Sequence, residues 1–472
     1  MHTFYCRLAY GDDPSDVFDL EAHGLVSFTY LEQDAELPSM RYGELVNRRN
    51  FLTTVLLGGV MSAIAVSCSS GNATRPKILL RNGWQSQNIG DIGHYLGMFE
   101  LLDRYGIAEK ADIVLWPVDV KNGASDLIAR EFPWVTVLRT REEKDRAIAE
   151  CSFMLHGSAN SLSARQDVET WISTGKPFGV FGISLNSVDP AVTAILNKAE
   201  FVFFRETVSL ESAKDGGCTA PVMEFGPDTT FGMTRCRNDD AALAFMEEVG
   251  LEDGMFLCCI PRYRRTPYWL LPGDSRPFNA EFQAKNDLMK EHDHAPLRDA
   301  IVAIVRETPM KVLVTCEDMT QIDLGRETLI DPLPADVKAN VVWRDRYWLP
   351  DEALSVYVRS AGLFGNEMHS PIMCIANGVP AVVCTFKEQG AKSHMWRDIG
   401  LDDWLFDLDR PADIPRIVPT VLSIAKNSVE ARAKADEARK FVREVQDENF
   451  GVLADVTGQL TVPEIESTGS SG

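Results

Sequence analysis

The sequence predicts an α/β protein in which parallel sheets carry helices on both faces. Short apolar runs that are typical of buried strands recur along residues 77–386, with helical segments between some of them. A polar stretch with helical character, residues 235–254, separates an earlier series of runs from a later one. The chain of 472 residues is long enough for two or three domains. These observations together predict two doubly wound domains.

The earlier series begins at residue 77 and contains six predicted strands. They are residues 77–82, 112–118, 136–139, 153–157, 178–184 and 201–205. A loop with Gly83 and Gly90 joins the first strand to a helix predicted over residues 92–105, and Asp91 is its predicted N-cap. Glycines in such a loop allow the backbone to approach a ligand closely.

The later series opens with a strand at residues 256–260, and three arginines follow it within four positions: Arg262, Arg264 and Arg265. Guanidinium groups match the oxygens of phosphates and carboxylates. In a chain with a net charge of −22, this local basic cluster predicts an anion site, and an ordinary solvated loop is the alternative. The acidic balance argues against a nucleic-acid partner.

The most informative turn lies at residues 361–392. A strand at 362–365 leads into a polar loop, and Ser370 and Pro371 are predicted to open the next helix. A second strand follows at 381–386. Asn366, Glu367 and His369 thus lie at the carboxyl end of a parallel strand, where open α/β sheets bind ligands.

Taken in order, these motifs resemble the polysaccharide pyruvyl transferase family. The resemblance rests on Asn88 to Asp91, Arg205-Glu206 with Ser209-Leu210, Pro227-Asp228, and His369 with Gly378-Val379-Pro380. It spans about residues 82–409. It implies two facing Rossmann-like domains of the glycosyltransferase-B type, with a C-terminal helical segment that crosses back onto the first domain. We expect domains at 76–235 and 236–410, helices at 411–450 and a tail at 451–472.

The resemblance also implies an activity. It implies that the chain transfers a pyruvyl group from phosphoenolpyruvate to a sugar of a cell-surface polysaccharide, forming a ketal without a metal or another cofactor. The expected partners are a glycan acceptor and a small anionic donor, and no nucleic acid. His369 is the candidate general acid/base, because histidine titrates nearest neutral pH. The other predicted substrate-binding residues are Asn88, Asp91, Arg205, Arg262, Arg264, Arg265, Asn366 and Lys387.

Two departures from the family pattern leave alternatives open. Glu367 stands two residues before His369, where the family has arginine, and either Lys387 or Lys392 would have to replace a family lysine. Glu367 could pair with His369 in acid/base catalysis of a different transfer or a hydrolysis. The alternatives are a two-domain transferase with another donor, such as a nucleotide sugar, and a non-catalytic envelope protein that binds a glycan or an anion.

The N-terminal segment predicts export. Arg48-Arg49, an apolar run at 51–66 and Cys68 after small residues resemble a twin-arginine signal with a lipoprotein cleavage box. Residues 40–75 are therefore a predicted signal or membrane anchor with its linker, and residues 1–39 a disordered tail or an over-long start. We expect a cell-envelope location, with the cytoplasmic face of the membrane as the alternative.

Overall fold

The computed structural model of the chain describes residues 75–185, 187–271 and 273–461. The predicted export signal and the segment before it lie outside these described residues. The described part contains two parallel sheets, so the predicted α/β class with two doubly wound domains is confirmed.

The first sheet has seven strands in the order β3-β2-β1-β4-β5-β6-β7. Their bounds are β1 Lys77–Arg81, β2 Asp112–Trp116, β3 Val135–Val137, β4 Phe153–His156, β5 Phe178–Ile183, β6 Val202–Phe204 and β7 Met223–Phe225. Six of them match predicted strands. The edge strand β7 has three residues with no continuous apolar run, which explains why the sequence pattern did not predict it.

The helices of this half follow the strands in alternation. They are α1 Ile89–Arg104, α2 Ile107–Lys110, α3 Ala124–Glu131, α4 Arg141–Glu150, α5 Arg165–Ile172, α6 Pro190–Leu196 and α7 Thr207–Asp215, with a 3-10 turn at Thr229–Gly232. Helix α1 is buried at nearly every position. A Cβ atom on Gly97 would lie 1.9 Å from the backbone oxygen of Thr229, so only glycine permits this close packing of α1 against the turn.

The second sheet has six strands in the order β10-β9-β8-β11-β12-β13. Their bounds are β8 Phe256–Ile260, β9 Lys311–Val314, β10 Val341–Trp343, β11 Gly362–Gly365, β12 Ala381–Thr385 and β13 Leu405–Asp407. The helices are α8 Asp239–Val249, α9 Ala280–Glu307, α10 Gln321–Gly325, α11 Ala335–Lys338, α12 Pro350–Tyr357, α13 His369–Ala376 and α14 Met395–Asp398. A π turn lies at Arg326–Ile330, and 3-10 turns lie at Tyr268–Leu270, Lys387–His394 and Asp402–Trp404.

Two helix starts and one loop differ from the predictions. Asn88, not Asp91, caps α1, and Met368, not Ser370, precedes α13. Residues 290–296, which the sequence predicts as a loop before a helix at 297–307, belong to α9. The helix tolerates Pro296 because the surrounding positions are buried and so held by tertiary packing; they include His294 and Leu297.

Two C-terminal helices complete the chain: α15 Ile414–Lys426 and α16 Ser428–Thr457. Near the end of α16, Phe450 stacks on Tyr105 with 4.7 Å between ring centroids and also contacts Phe181 of the first sheet. The side-chain amide of Asn449 donates to the backbone oxygen of Phe225 at 3.2 Å. The chain therefore crosses back onto the first domain, and helix continues to residue 457, where a tail was expected from 451. Among the described helices, none has the length and apolarity that crossing a bilayer would require.

Candidate functional site

Helix α1 starts in the loop after β1 and carries two of the predicted site residues. The Asn88 side chain accepts hydrogen bonds from two backbone amides of the first turn. The backbone of Asn88 also bridges Asp318 in the second domain. The Asp91 carboxylate accepts a hydrogen bond from Gln85 and lies 3.9 Å from Nδ1 of His94. Asn88 thus fixes the start of the helix, while Asp91 adjoins the site through His94.

Arg205 stands at the carboxyl end of β6, as predicted, with a fully buried side chain. It donates to the Ser184 hydroxyl at 2.9 Å, to Oδ2 of Asp228 at 2.8 Å, and to the side-chain oxygen of Asn160. Burial raises the pKa of Asp228, but the contacts with His94 and Arg205 outweigh burial and hold the pKa well below its usual range. In the sequence, Pro227-Asp228 is named only as a motif of the family resemblance, whereas the structure places Asp228 inside the site.

His369 is the first residue of α13 and projects toward α1. Its Nδ1 atom lies 3.0 Å from Oε1 of Glu317, and its Nε2 atom lies 3.1 Å from Nε2 of His94. Glu317 is held in turn by the backbone amide and the hydroxyl of Ser370, at 2.7 and 2.9 Å. Burial, together with the neighbouring His94, lowers the pKa of His369 to about 3, so its imidazole is neutral at physiological pH.

The loop before His369 forms a buried ion pair. Oε2 of Glu367 accepts a hydrogen bond from Arg262 at 2.9 Å, and its other oxygen accepts one from Gln321. Burial raises the pKa of Glu367. Burial, and after it the nearby Arg262, lower the pKa of Lys392 to about 8. Glu367, which stands where the family pattern has an arginine, therefore partly neutralises the positive charge of Arg262 and Lys392.

A small cavity of about 110 Å³ lies among these side chains. Its walls come from both domains and are formed by Asn160, Ser184, Arg262, Glu388, Gln389 and Lys392. The Arg205 guanidinium lies directly behind two of these wall residues, since it donates to Asn160 and Ser184. A groove of about 990 Å³ elsewhere, lined by residues such as Trp404 and Phe441, contains none of the site residues. The smaller cavity is therefore the candidate site.

The structure separates the predicted arginine cluster. Arg262 reaches the cavity. Arg264 instead forms a buried bidentate pair with Asp293 of α9, at 2.7 and 2.8 Å, and also binds Asp409. The Arg265 side chain is exposed and lies over the Phe282 ring. Arg264 and Arg265 thus act within the second domain, and one arginine of the three faces the candidate donor site.

Two further predicted residues lie near the cavity without lining it. Asn366 is buried, and its amide donates to the backbone oxygen of Cys384 at 3.0 Å, which joins the ends of β11 and β12. Lys387 is exposed, while Lys392, five residues later, lines the cavity. A kink at Gly390, with a φ of 67°, lies between the two lysines.

Three features of the site were not identified from the sequence. They are His94, its contact with Asp228, and the hydrogen bond between His369 and Glu317. His94 follows Asp91 by three residues on the predicted helix α1, so it lies on the same helix face as a residue already chosen. Gly90 gave another signal: a Cβ atom there would lie 2.2 Å from Nδ1 of His369. The glycine is required because the two domains meet at this point.

A family model described as polysaccharide pyruvyl transferase matches residues 88–387, which is more than half of the chain. No curated protein shows significant sequence similarity to it. Among solved structures, MnaA of S. aureus in complex with UDP is similar with a TM-score of 0.53 and 9% identity, covering 82% of this chain and 99% of that one.

A structure from Listeria monocytogenes, described as a UDP-N-acetylglucosamine 2-epimerase, has a TM-score of 0.53 and 11% identity. That match covers 83% of this chain and 99% of the other. Both similarities concern the fold, and they agree with the predicted glycosyltransferase-B type of architecture.

Proposed function

Because the chain belongs to the polysaccharide pyruvyl transferase family, we propose that this transferase takes its pyruvyl group from phosphoenolpyruvate and attaches it to a sugar of a cell-surface polysaccharide. The observation that supports this donor is a group of three cations around one small cavity between the domains: the buried Arg205 and Lys392, and the partly buried Arg262. Phosphoenolpyruvate carries a phosphate and a carboxylate, which need cationic partners when they leave water.

The reaction can be balanced with the groups present. The terminal alkene carbon of the donor gains a proton, and a sugar hydroxyl adds to the neighbouring carbon. A second hydroxyl displaces phosphate and closes the ketal. Of the two hydroxyl protons, one ends on the new methyl group and the other on phosphate. Cations around the cavity stabilise the charge that develops on the departing phosphate.

Proton transfer needs a group beside the donor. Lys392 lines the cavity and, with a pKa of about 8, is protonated at neutral pH, so it can donate a proton. His369 remains our predicted general acid/base, but the carboxylate that contacts it is Glu317, and the predicted partner Glu367 contacts Arg262 and Gln321 instead. His369 is neutral and can accept a hydroxyl proton once its Nε2 atom is released from His94, although its lowered pKa makes it a weak base. Glu367 acts through Arg262, with which it is paired.

A nucleotide-sugar donor remains the second candidate. It is favoured by the departure from the family pattern at Glu367, which stands where the family has an arginine and is paired with Arg262. The volume of the cavity favours the smaller donor, because about 110 Å³ suits a three-carbon phosphate better than a nucleotide sugar. The cell-envelope location and membrane attachment are part of the proposal and rest on residues 48–68, outside the described residues.

A thermal-shift titration tests the donor. Phosphoenolpyruvate that binds only the folded state stabilises it by about 2.7 kcal/mol at 100 times its dissociation constant. We expect a saturable shift with phosphoenolpyruvate and none with UDP-sugars. Lys392→Met should abolish the shift, while the matched control Lys387→Met should keep it because that side chain is exposed. A shift with a UDP-sugar alone would overturn this donor and favour the second candidate.

Product formation tests the transfer itself. With an acceptor polysaccharide, the wild-type chain should release phosphate from phosphoenolpyruvate and leave a pyruvate ketal on the sugar, detectable by its methyl resonance in NMR spectra. Phosphate release without a ketal would mean hydrolysis of the donor and would contradict the proposed transfer.

A further inference from the structure

Three potential metal ligands converge where the two domains meet. They are His94 of α1, Asp228 before the 3-10 turn at Thr229–Gly232, and His369 of α13. All three residues are buried, and one ligand atom from each lies within 4.8 Å of the others. Nε2 of His94 is 3.1 Å from Nε2 of His369 and 3.2 Å from Oδ2 of Asp228.

The protons available do not account for this arrangement. Glu317 is a carboxylate acceptor, so His369 carries its proton on Nδ1 and presents a lone pair at Nε2. Asp228 also presents an acceptor. Nε2 of His94 can offer one hydrogen to these two acceptors. If that hydrogen sits on Nδ1 instead, it has no hydrogen-bond partner, since Nδ1 of His94 is buried and unpaired. Arg205 already donates to Oδ2 of Asp228, so with the hydrogen on Nε2 it is Nδ1 of His94 that stays unpaired. With the hydrogen on Nδ1, lone pairs of all three residues face one another.

A divalent cation would satisfy all three atoms at once. Zinc binds histidine nitrogen at about 2.0–2.1 Å and carboxylate oxygen at about 2.0–2.2 Å, so separations of 3.1 and 3.2 Å correspond to ligand–metal–ligand angles of roughly 100°. Such angles lie between octahedral and tetrahedral values. The hydrogen bond from His369 to Glu317 is the support that metal-bound histidines usually have in their surroundings.

We propose that His94, Asp228 and His369 form a binding site for a divalent transition metal of the zinc class. Two imidazoles and one carboxylate suit zinc, iron, cobalt and manganese better than calcium or magnesium. Arg205 shares Oδ2 of Asp228 at 2.8 Å, which is compatible with a metal because a carboxylate oxygen has two lone pairs. Three protein ligands leave further coordination positions free for water or an anionic substrate.

This inference shares His369 with the proposed function, and the two give the Nε2 atom of His369 different roles. A metal on Nε2 of His369 would prevent that nitrogen from transferring a proton and would leave proton donation to Lys392. Metal content is measured without phosphoenolpyruvate, so its outcome is independent of the donor titration.

The test uses the full chain without a polyhistidine tag. We expect about one equivalent of zinc per chain, measured by mass spectrometry of the purified protein and by calorimetric titration of the metal-free protein. His94→Gln should lose at least 100-fold in affinity. Glu317→Gln should lose about 10- to 100-fold, because it removes the support of one ligand. The control His292→Gln should bind normally, although His292 also lies 2.8 Å from an aspartate, Asp293.

Equal metal binding by the wild-type chain and a folded His94→Gln variant would overturn the proposal. So would the absence of binding by the wild-type chain to zinc, cobalt, manganese and iron. If His94→Gln does not fold, the cobalt absorption spectrum of the wild-type chain decides. Visible absorption bands typical of cobalt bound by three nitrogen and oxygen ligands, weaker in the Glu317→Gln variant, would support the site. A spectrum like that of cobalt in water would refute it.

Discussion

The Arg262–Glu367 pair allows a quantitative test of the anion site. Glu367→Gln removes a buried negative charge while keeping the size of the side chain. Two charges about 4 Å apart interact by about 4 kcal/mol at an effective dielectric constant of 20. This energy is an upper bound for the repulsion between Glu367 and a bound anion. Since the amide still accepts a hydrogen bond from Arg262, we expect phosphoenolpyruvate to bind more tightly by about 1–2 kcal/mol, or roughly 5- to 30-fold.

The same change should destabilise the unliganded protein. Removing one partner of a buried pair costs about 3–5 kcal/mol, and the lower end applies because the Arg262 side chain is 18% exposed. Calorimetry gives the affinity, and a thermal scan with and without phosphoenolpyruvate gives the stability. Glu352→Gln is the matched control: it removes a carboxylate from Arg344, 2.8 Å away and remote from the cavity. It should lower stability without changing affinity. An unchanged or weaker affinity in folded Glu367→Gln protein would refute the reasoning.

Three further predictions follow from the same contacts. His369→Ala should abolish transfer and leave the circular dichroism spectrum unchanged; normal transfer would remove His369 from catalysis. Affinity for phosphoenolpyruvate should fall as pH rises through about 8, because Lys392, beside Arg262 and Glu367, loses its charge there; a constant affinity from pH 7 to 9 would contradict this. Gly97→Ala should destabilise the protein by several kcal/mol, since its Cβ meets a backbone oxygen. The control Gly451→Ala lies in open space on α16 and should stabilise the protein by about 0.5–1 kcal/mol. Equal denaturation midpoints for the two variants would show that close packing at Gly97 does not contribute to stability.

Most strands of the two sheets could be predicted because each is a short, nearly continuous apolar run, whereas the three-residue strands β7 and β13 could not. Arg205 and His369 could be placed for the same reason, since both follow such runs directly. The side-chain contacts of Arg264 could not be predicted. Arg264 binds Asp293, which lies in the first part of α9. The sequence pattern began that helix only after Pro296, so Asp293 was not placed on it.

Contacts between distant parts of the chain were also beyond the sequence pattern. His94 and His369 are separated by 275 positions, and no local periodicity links them. The choice of Lys392 over Lys387 depends on a left-handed kink at Gly390, which turns the later lysine inward. The fold was therefore predictable from local hydrophobic patterns, while the site depended on how the two domains face each other.

The return of α16 to the first domain has a consequence for biosynthesis. The aromatic surface formed by Tyr105 and Phe181 is covered by Phe450, which leaves the ribosome long after the first domain has been made. At about 5–20 residues per second, the roughly 215 residues between the end of that domain and Phe450 take on the order of 10–45 s to synthesise. During that interval the nascent chain exposes this apolar surface to solvent. A ribosome that stalls before Phe450 would leave a first domain open to chaperones and proteases, so its maturation is completed only by the last part of translation.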